Sequence, residues 1–167
     1  MYLYLVIDER NVVVGRQTSP RNPIERDNYI EVDEATYNLS PGNYETMIYY
    51  PESGEFEILP DPRPVLELTV DSDEVRVGHK VNVGLDIVSH GTDLTGYGLE
   101  DHRLQDDSIF YLDYQSPEGR LGCIRAELKN GKARDTGFTT RVSGMHMIKG
   151  NRLFREVAPV EIIVYEE

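Results

Sequence analysis

The chain of 167 residues carries 30 acidic and 17 basic residues. Its formal net charge of −13 disfavours nucleic acid as a partner, because a field of that sign repels phosphate backbones. No apolar run approaches the roughly 18 residues of a membrane-spanning helix, so no membrane partner is expected either. The length suits one ordinary domain, or a small domain followed by a module of about 100 residues.

The N-terminus predicts a β-hairpin rather than a secretion signal. Residues 1–11 lack a basic leader and a small-residue cleavage site. Tyr2–Ile7 and residues 12–14 are rich in aromatic and β-branched side chains, and residues 8–11 between them have turn chemistry. We therefore expect two strands joined by a short turn.

Several short elements follow within the first 60 residues. Residues 17–27 hold two prolines among charged residues and predict a loop. A short strand is expected over residues 29–32, followed by one or two helical turns with Asp33 as N-cap. Strands over residues 44–50 and 55–59 flank Pro-Glu-Ser-Gly, which predicts a second hairpin.

Three prolines within five residues, Pro60, Pro62 and Pro64, mark the expected domain boundary. Proline fixes φ and favours an extended, semi-rigid spacer. The sequence therefore predicts a small β-rich docking domain over residues 1–60, a linker over residues 61–64 and a second domain over residues 65–167.

The second domain has the pattern of a β-sandwich. Residues 80–88 alternate strictly between polar and apolar, which places Val81, Val83, Leu85 and Ile87 on one face of a strand. Further strands are predicted over residues 65–70, 75–78, 108–114, 121–128, 132–141, 145–148 and 160–165. About seven short strands in about 100 residues are typical of a sandwich, so the predicted fold class is all-β.

Two connections in this domain carry specific expectations. Asn130-Gly131 is a strong hairpin signal between the strands over residues 121–128 and 132–141. The Gly- and Asp-rich stretch over residues 89–107 contains residues 91–98, whose glycines lack the spacing of a nucleotide-binding loop. We expect residues 91–98 to form a flexible loop at the end of the sandwich.

The second domain resembles bacterial and phage immunoglobulin-like domains. Residues 66–83 contain the two strands and the V-x-V-G-x-x-V turn that open such domains, here Val-Arg-Val-Gly-His-Lys-Val over residues 75–81. Residues 143–150, Ser-Gly-Met-His-Met-Ile-Lys-Gly, are similar to their penultimate strand. The resemblance implies an immunoglobulin-like sandwich without the cysteine pair and tryptophan of antibody domains.

The first 60 residues are similar to the short β-rich segments that begin many tailed-phage tail-fibre and baseplate accessory proteins. Residues 6–9, 12–15 and 30–37 carry this likeness. It implies a virion component of a tailed phage.

No constellation of catalytic, cofactor-binding or metal-binding residues emerges from the spacing. His79, His90, His102 and His146 form no pair at metal-ligand spacing. The groupings that come nearest to a metal site are His90 with Asp93, or His102 with Glu100 and Asp101, all on one loop. The polarity of a loop explains these residues equally well. We therefore expect no catalytic, cofactor or metal residue, no cofactor and no enzymatic activity.

One acidic turn leaves a calcium question open. Asp71-Ser72-Asp73-Glu74, which Asp106 and Asp107 could join, offers oxygen ligands but lacks the glycine and the distal glutamate of an EF-hand loop. A polar turn between strands and a calcium site both remain compatible with this stretch.

The only cysteine, Cys123, can form no internal disulfide, which favours synthesis in the reducing cytoplasm of a bacterial host. It lies between Gly122 and Ile124, and we expect it to be a small buried hydrophobic residue rather than a nucleophile.

Tyrosine is over-represented, with eleven against four phenylalanines and no tryptophan. Tyrosine combines an apolar ring with a polar tip and is enriched at interfaces, but it is also a good strand residue. Both interpretations stay open for the tyrosines on or beside the predicted strands: Tyr44, Tyr49, Tyr50, Tyr97, Tyr111 and Tyr114.

The resulting hypothesis is a non-enzymatic structural or interaction protein of a tailed-phage virion, used for decoration, assembly, or as a tail, neck or baseplate accessory. Its N-terminal part would dock on other virion proteins, and the chain would form a homo-oligomer. The alternative is a carbohydrate- or cell-surface-binding module whose sandwich binds a host-surface glycan.

Overall fold

The computed structural model describes residues 1–155 and 157–166 and is all-β apart from one short helix and one 3₁₀ turn in that part of the chain. The chain forms two compact units. The first comprises Met1–Pro62 together with Leu94–Asp101, and the second comprises Arg63–Asp93 and His102–Glu167. No helix in the described ranges is long and apolar enough to cross a lipid bilayer.

The first unit contains a three-stranded antiparallel sheet and a separate two-stranded hairpin. Its elements are β1 (Tyr2–Ile7), β2 (Val13–Ser19), β3 (Tyr29–Glu31), α1 (Glu34–Tyr37), β4 (Thr46–Tyr50) and β5 (Glu55–Leu59). The sheet has the order β2-β1-β3, and β4 pairs with β5. The predicted hairpins and the helix are confirmed; the Asp33 carboxylate accepts the Thr36 backbone N–H at 2.7 Å, as an N-cap does.

The core of the first unit includes a segment that sequence reasoning placed elsewhere. Leu94 is only 4% exposed and packs with Val12, Ile48 and Leu59. The prediction of a flexible loop over residues 91–98 is therefore wrong for Leu94 onwards. Leu94 is an apolar residue within a polar stretch. Packing against the core of the first unit removes its side chain from water, which is energetically favourable.

The proline-rich segment is also more embedded than a free spacer. Pro62 and Pro64 are both buried, and the Pro64 carbonyl accepts a hydrogen bond from the Arg155 backbone N–H at 2.9 Å. The change from one unit to the other falls between Pro62 and Arg63. The proline-rich segment thus lies where the chain passes from one unit to the other, but burial and a backbone hydrogen bond hold it in place.

The second unit is a sandwich of two sheets. Its strands are β6 (Val65–Val70), β7 (Glu74–Arg76), β8 (Lys80–Ser89), β9 (Ile109–Gln115), β10 (Leu121–Glu127), β11 (Lys132–Thr139), β12 (Gly144–Lys149) and β13 (Val160–Tyr165). One sheet has the order β11-β8-β6 and the other β10-β9-β12-β13-β7. All pairs are antiparallel except β7 with β13, which is parallel.

The alternation of apolar residues builds the core of the sandwich. Val81, Val83 and Leu85 on β8 have no exposed surface, as predicted for one face of that strand. The opposite sheet supplies Leu112 and Ile162, which are equally buried. Interdigitation of these inward faces is what holds the two sheets together.

The Asn130-Gly131 turn is correctly predicted, but the strands beside it do not form a hairpin. Both residues have positive φ, +53° and +76°, as a type I′ turn requires. One bridge, Lys129 to Lys132, follows, after which β10 pairs with β9 and β11 pairs with β8. The turn therefore connects the two sheets, since β10 belongs to the five-stranded sheet and β11 to the three-stranded sheet.

The arrangement defines the class of this unit. In immunoglobulin notation β6, β8 and β11 correspond to strands A, B and E, while β10, β9, β12 and β13 correspond to C′, C, F and G. The second unit is an immunoglobulin-like β-sandwich, as the sequence predicts. Residues 156 and 167 of the predicted range 65–167 lie outside the described residues.

Candidate interaction surfaces

The histidines do not assemble into a catalytic or metal centre. His90 Nε2 lies 2.7 Å from Asp106 Oδ1, an exposed loop contact, and Asp93 forms an ion pair with Arg103 at 3.2 Å. Among residues 1–155 and 157–166, no group of three or more His, Cys, Asp and Glu side chains is placed to hold a metal ion.

His146 has a structural environment instead. It is fully buried on β12, where its Nδ1 accepts the Tyr114 hydroxyl at 2.7 Å and its Nε2 donates to the Val142 carbonyl at 2.8 Å. A side chain early in strand F that bonds to backbone a few residues upstream takes the place of the tyrosine corner of immunoglobulin domains. His146 therefore ties the connection between β11 and β12 to the core.

The acidic turn at residues 71–74 is organised by hydrogen bonds within the fold. The Asp71 carboxylate accepts both the backbone N–H and the side-chain amide of Asn82, at 2.9 and 2.8 Å. The hydrogen bond from the Asn82 backbone holds the pKa of Asp71 below its ordinary value. Ser72 Oγ donates to the Glu74 carbonyl at 2.7 Å. The turn connects β6 to β7, and its oxygens do not converge on one point.

Cys123 is exposed, which corrects the expectation that it is buried. It lies on β10, where Ile124 and Ala126 face the core, so the two-residue period turns Cys123 outward. The flanking Gly122 and the apolar neighbours were misleading, because the strand lies at the edge of its sheet and only one of its faces is covered.

Several large apolar side chains of the second unit are exposed on the outer face of the five-stranded sheet, called here the outer sheet face. Strand register places Met145 opposite Ile163, and Leu121 opposite Gln115, which pairs in turn with Met147. Leu121 is 79% exposed. The large exposed apolar side chains of this face are Ile109, Tyr111, Leu121, Met145, Ile163 and Tyr165.

Sequence reasoning did not single out this face. The available signal was in Val160–Tyr165, where apolar residues occupy both faces of the strand rather than one. A strand covered on one side only has no need of Ile163 and Tyr165 on its open side. Such patches mark interaction sites on soluble proteins.

A second surface lies in the first unit, where a groove of about 810 Å³ runs beside the β4–β5 hairpin. Its lining includes Tyr50, Glu52 and Tyr97. The Tyr50 hydroxyl donates to Glu57 at 2.5 Å, and this bond, together with a contact to Tyr97, raises the pKa of Tyr50. The segment that buries Leu94 therefore also brings Tyr97 beside Tyr50.

The six tyrosines named from the sequence are distributed among several environments. Tyr44, Tyr97 and Tyr111 are exposed, with Tyr97 at the groove and Tyr111 on the outer sheet face. Tyr49 stacks against Phe56 with ring centroids 4.9 Å apart, and Tyr114 contacts Phe138 at 5.3 Å. Exposed and packed side chains are thus both present among the six, and they are divided between the two units.

Comparison with known proteins adds no family. No protein-family model and no curated protein sequence matches the chain. Two solved structures resemble it at a TM-score of 0.44: alpha-2-macroglobulin of E. coli in its native conformation, 13% identical, and Salmonella alpha-2-macroglobulin reacted with methylamine, 12% identical. The alignments cover 98% and 99% of this chain but 10% and 11% of those chains, so it spans about a tenth of their length.

Proposed function

We propose that this chain is a non-enzymatic interaction protein, an accessory component of a tailed-phage virion that contacts its neighbours through the outer sheet face. The observation that carries the proposal is the set of large apolar side chains on the open side of the five-stranded sheet. Burying a group of such side chains against a partner yields about 25 cal/mol for each Å² of apolar surface removed from water. The phage assignment depends on the sequence resemblances of both halves.

The position of the apolar residues supports association with a protein surface. Met145 and Ile163 are cross-strand partners near the middle of the sheet, and the charged residue Glu161 is the cross-strand partner of the adjacent Met147 on the same face. An apolar centre with a polar rim is the usual anatomy of a protein interface.

Co-sedimentation of the full chain with tailed-phage particles assembled without it tests the proposal. The wild-type chain is expected to sediment with the particles, whereas Ile163→Asp, which puts a charge at the centre of the outer sheet face, is expected to remain in the supernatant. Val14→Asp is the matched control, because Val14 is also an exposed apolar strand residue but belongs to β2 of the first unit. Equal loss of binding by both variants, or no binding by the wild type, contradicts the proposal.

The tyrosine groove of the first unit favours a second candidate, the binding of a host-surface glycan. Three tyrosines, Tyr49, Tyr50 and Tyr97, with Glu52 and Asn11 in the same lining, offer an aromatic surface and hydrogen-bonding groups for sugar hydroxyls. Titration of the full chain with oligosaccharides, followed by NMR, is expected to shift resonances around Tyr97. Loss of those shifts in Tyr97→Ala, with retention in Tyr111→Ala, would assign the glycan to this groove.

A further inference from the structure

The two lateral edges of the sandwich carry opposite charge. At the edge formed by β10 and β11, a groove of about 390 Å³ is lined by four basic and two acidic side chains: Arg125, Lys129, Lys132, Arg134, Glu127 and Asp135. Five of the 17 basic residues of the chain fall between residues 120 and 134, which contain one acidic residue. A basic groove on a chain of net charge −13 is therefore a local exception.

The opposite edge, formed by β6 and β7, is acidic. Glu67, Asp73 and Glu74 are all exposed there, against one basic residue, Arg76. β7 and β10 are the two end strands of the same five-stranded sheet, and each has a strand partner on one side in the described part of the chain. An edge strand offers backbone N–H and C=O groups to another chain.

We infer that copies of this chain associate head to tail, with the acidic β7 edge of one copy against the basic β10–β11 groove of the next. The inference rests on the proposed function and deepens it by naming a partner, a second copy of the same chain. Asp73 and Glu74 meet Arg125 and Lys129 of the neighbouring copy. An interface between two different surface patches generates a ring if the rotation closes and a filament if it does not.

Strand directions are compatible with this contact. β10 runs parallel to β12, and both run opposite to β9, β13 and β7, as the pairing pattern dictates. When copies are related by rotation about an axis along the strands, β7 of one copy therefore lies antiparallel to β10 of the next. The Glu74 and Arg76 carbonyls on the free edge of β7 already accept the Ser72 hydroxyl and the His79 backbone N–H, at 2.7 and 3.1 Å. The contact between copies is therefore made mainly by the charged side chains of the two edges.

The electrostatics favour this partner over an identical edge. A symmetric contact between two β10–β11 edges would oppose basic clusters, and one between two β7 edges would oppose acidic ones. Like charges placed opposite each other in an interface cost several kcal/mol. All four basic residues of the groove also make internal ion pairs, Arg125 and Lys129 with Glu127 at 3.3 and 3.8 Å, and Arg134 and Lys132 with Asp86 at 2.8 and 3.9 Å. Ion pairs at least partly open to water are weak, so these basic side chains can still pair with a partner.

Sedimentation velocity of the full chain over a concentration series tests the inference with charge-reversed variants. The wild type is expected to self-associate, and less so when salt rises from about 0.1 to about 1 M, because the Debye length falls from about 10 to about 3 Å. Arg125→Glu with Lys129→Glu gives two acidic edges, and Asp73→Lys with Glu74→Lys gives two basic edges. Each variant alone is expected to associate at least about tenfold more weakly than the wild type.

The mixed sample and the fourfold variant decide between this contact and a general charge effect. An equimolar mixture of the two variants is expected to associate again, because the edges of one are complementary in charge to the edges of the other. The fourfold variant, which combines all four substitutions, is also expected to associate, because it has the wild-type arrangement with the charges of the two edges exchanged. Arg21→Glu with Arg26→Glu is the matched control for the Arg125 and Lys129 variant, an equal change of net charge at exposed positions of the first unit. Thermal melts establish that each variant is folded.

The outcomes separate this inference from the proposed function. A wild-type chain that stays monomeric throughout the series, or a mixture that stays as dissociated as its components, overturns the head-to-tail contact. A monomer that nevertheless sediments with phage particles overturns the contact and leaves the proposed function standing. A salt-sensitive assembly that has no affinity for particles supports the contact and contradicts the proposed function.

Discussion

At the scale of single residues, the two-residue period of β8 separates side chains that matter greatly from those that matter little. Leu85 is fully buried between the sheets, whereas its neighbour Asp86 points outward and pairs with Arg134 through two contacts of 2.8 and 3.1 Å. Leu85→Asp is expected to unfold the second unit, because a charge buried without a partner costs several kcal/mol. Asp86→Asn is expected to cost about 0.5 kcal/mol or less, since exposed ion pairs contribute little. Urea unfolding measures both, and similar midpoints for the two variants would show that the faces are wrongly assigned.

His146 gives a second prediction at this scale. His146→Phe keeps a ring in the core but leaves the Val142 carbonyl and the Tyr114 hydroxyl without their partner. We expect a loss of about 1–3 kcal/mol in the free energy of unfolding, the usual effect of an unsatisfied buried polar group. The double variant with Tyr114→Phe should lose less than the sum of the two single changes. Strict additivity in a double-mutant cycle would argue against the coupled pair.

Acid sensitivity can be predicted from the carboxylates that have hydrogen-bond partners. Hydrogen bonds from Asn82 lower the pKa of Asp71, and the hydrogen bond from Arg134 lowers that of Asp86, both from the ordinary value of 3.8. Each group therefore stabilises the fold fully above its unfolded pKa, and this contribution is lost as the pH falls through the lower folded pKa. Asp71→Asn is expected to reduce the melting temperature at neutral pH. The difference in melting temperature between neutral and strongly acidic buffer is therefore expected to be smaller than in the wild type. An unchanged pH profile of melting temperature would contradict the role of Asp71.

At the scale of elements, local chemistry was readable from the sequence and the pairing of elements was less so. The Asp33 cap, the Gly54 turn of the β4–β5 hairpin and the positive φ of Asn130 and Gly131 all follow from the preferences of those residue types. The sheet to which β10 and β11 each belong depends on apolar surfaces far apart in the chain. For the same reason, nothing in residues 89–107 alone indicates that Leu94 belongs to the first unit.

The packing of Leu94 predicts that a substitution at this residue destabilises the first unit, although the sequence suggested that Leu94 belongs to a loop of the sandwich. Leu94→Ala leaves a cavity beside Val12, Ile48 and Leu59, and removal of a buried leucine side chain costs about 2–5 kcal/mol. Hydrogen exchange followed by mass spectrometry is expected to show faster exchange in β4 and β5 while β8 and β12 are unchanged. Faster exchange confined to residues 89–107 would contradict the packing described for the first unit.

Limited proteolysis compares how readily the proline-rich boundary and the loop after β2 are cleaved. Cleavage between residues 59 and 65 is the simple expectation from three prolines, but Pro62 and Pro64 are buried. Residues 20–23 are exposed and lie between strands, so we expect the first cut in that loop. Sequencing of the earliest fragments checks this, and a first cut at residues 59–65 would show that the boundary opens more readily than its burial suggests.

At the scale of the whole molecule, the strand pattern predicted the fold class and the composition predicted the sign of the overall charge. Neither showed how charged and apolar side chains are distributed over the surface. The net charge of −13 conceals a basic groove at Arg125 and Lys129, because a sum over the chain is insensitive to where strands place their side chains. The excess of tyrosine left interface and strand roles equally open, and the exposed residues Tyr97 and Tyr111 lie in different units. The outer sheet face became identifiable only when the register of five strands was known.

The central claim, that this chain works by binding through the outer sheet face, is tested most directly by hydrogen exchange of the full chain free and bound to phage particles. The account predicts slower exchange on binding in β12, β13 and the adjoining β9, with the β4–β5 hairpin unchanged. Slower exchange confined to β4, β5 and residues 94–98, with β12 and β13 unaffected, would contradict it and assign binding to the tyrosine groove.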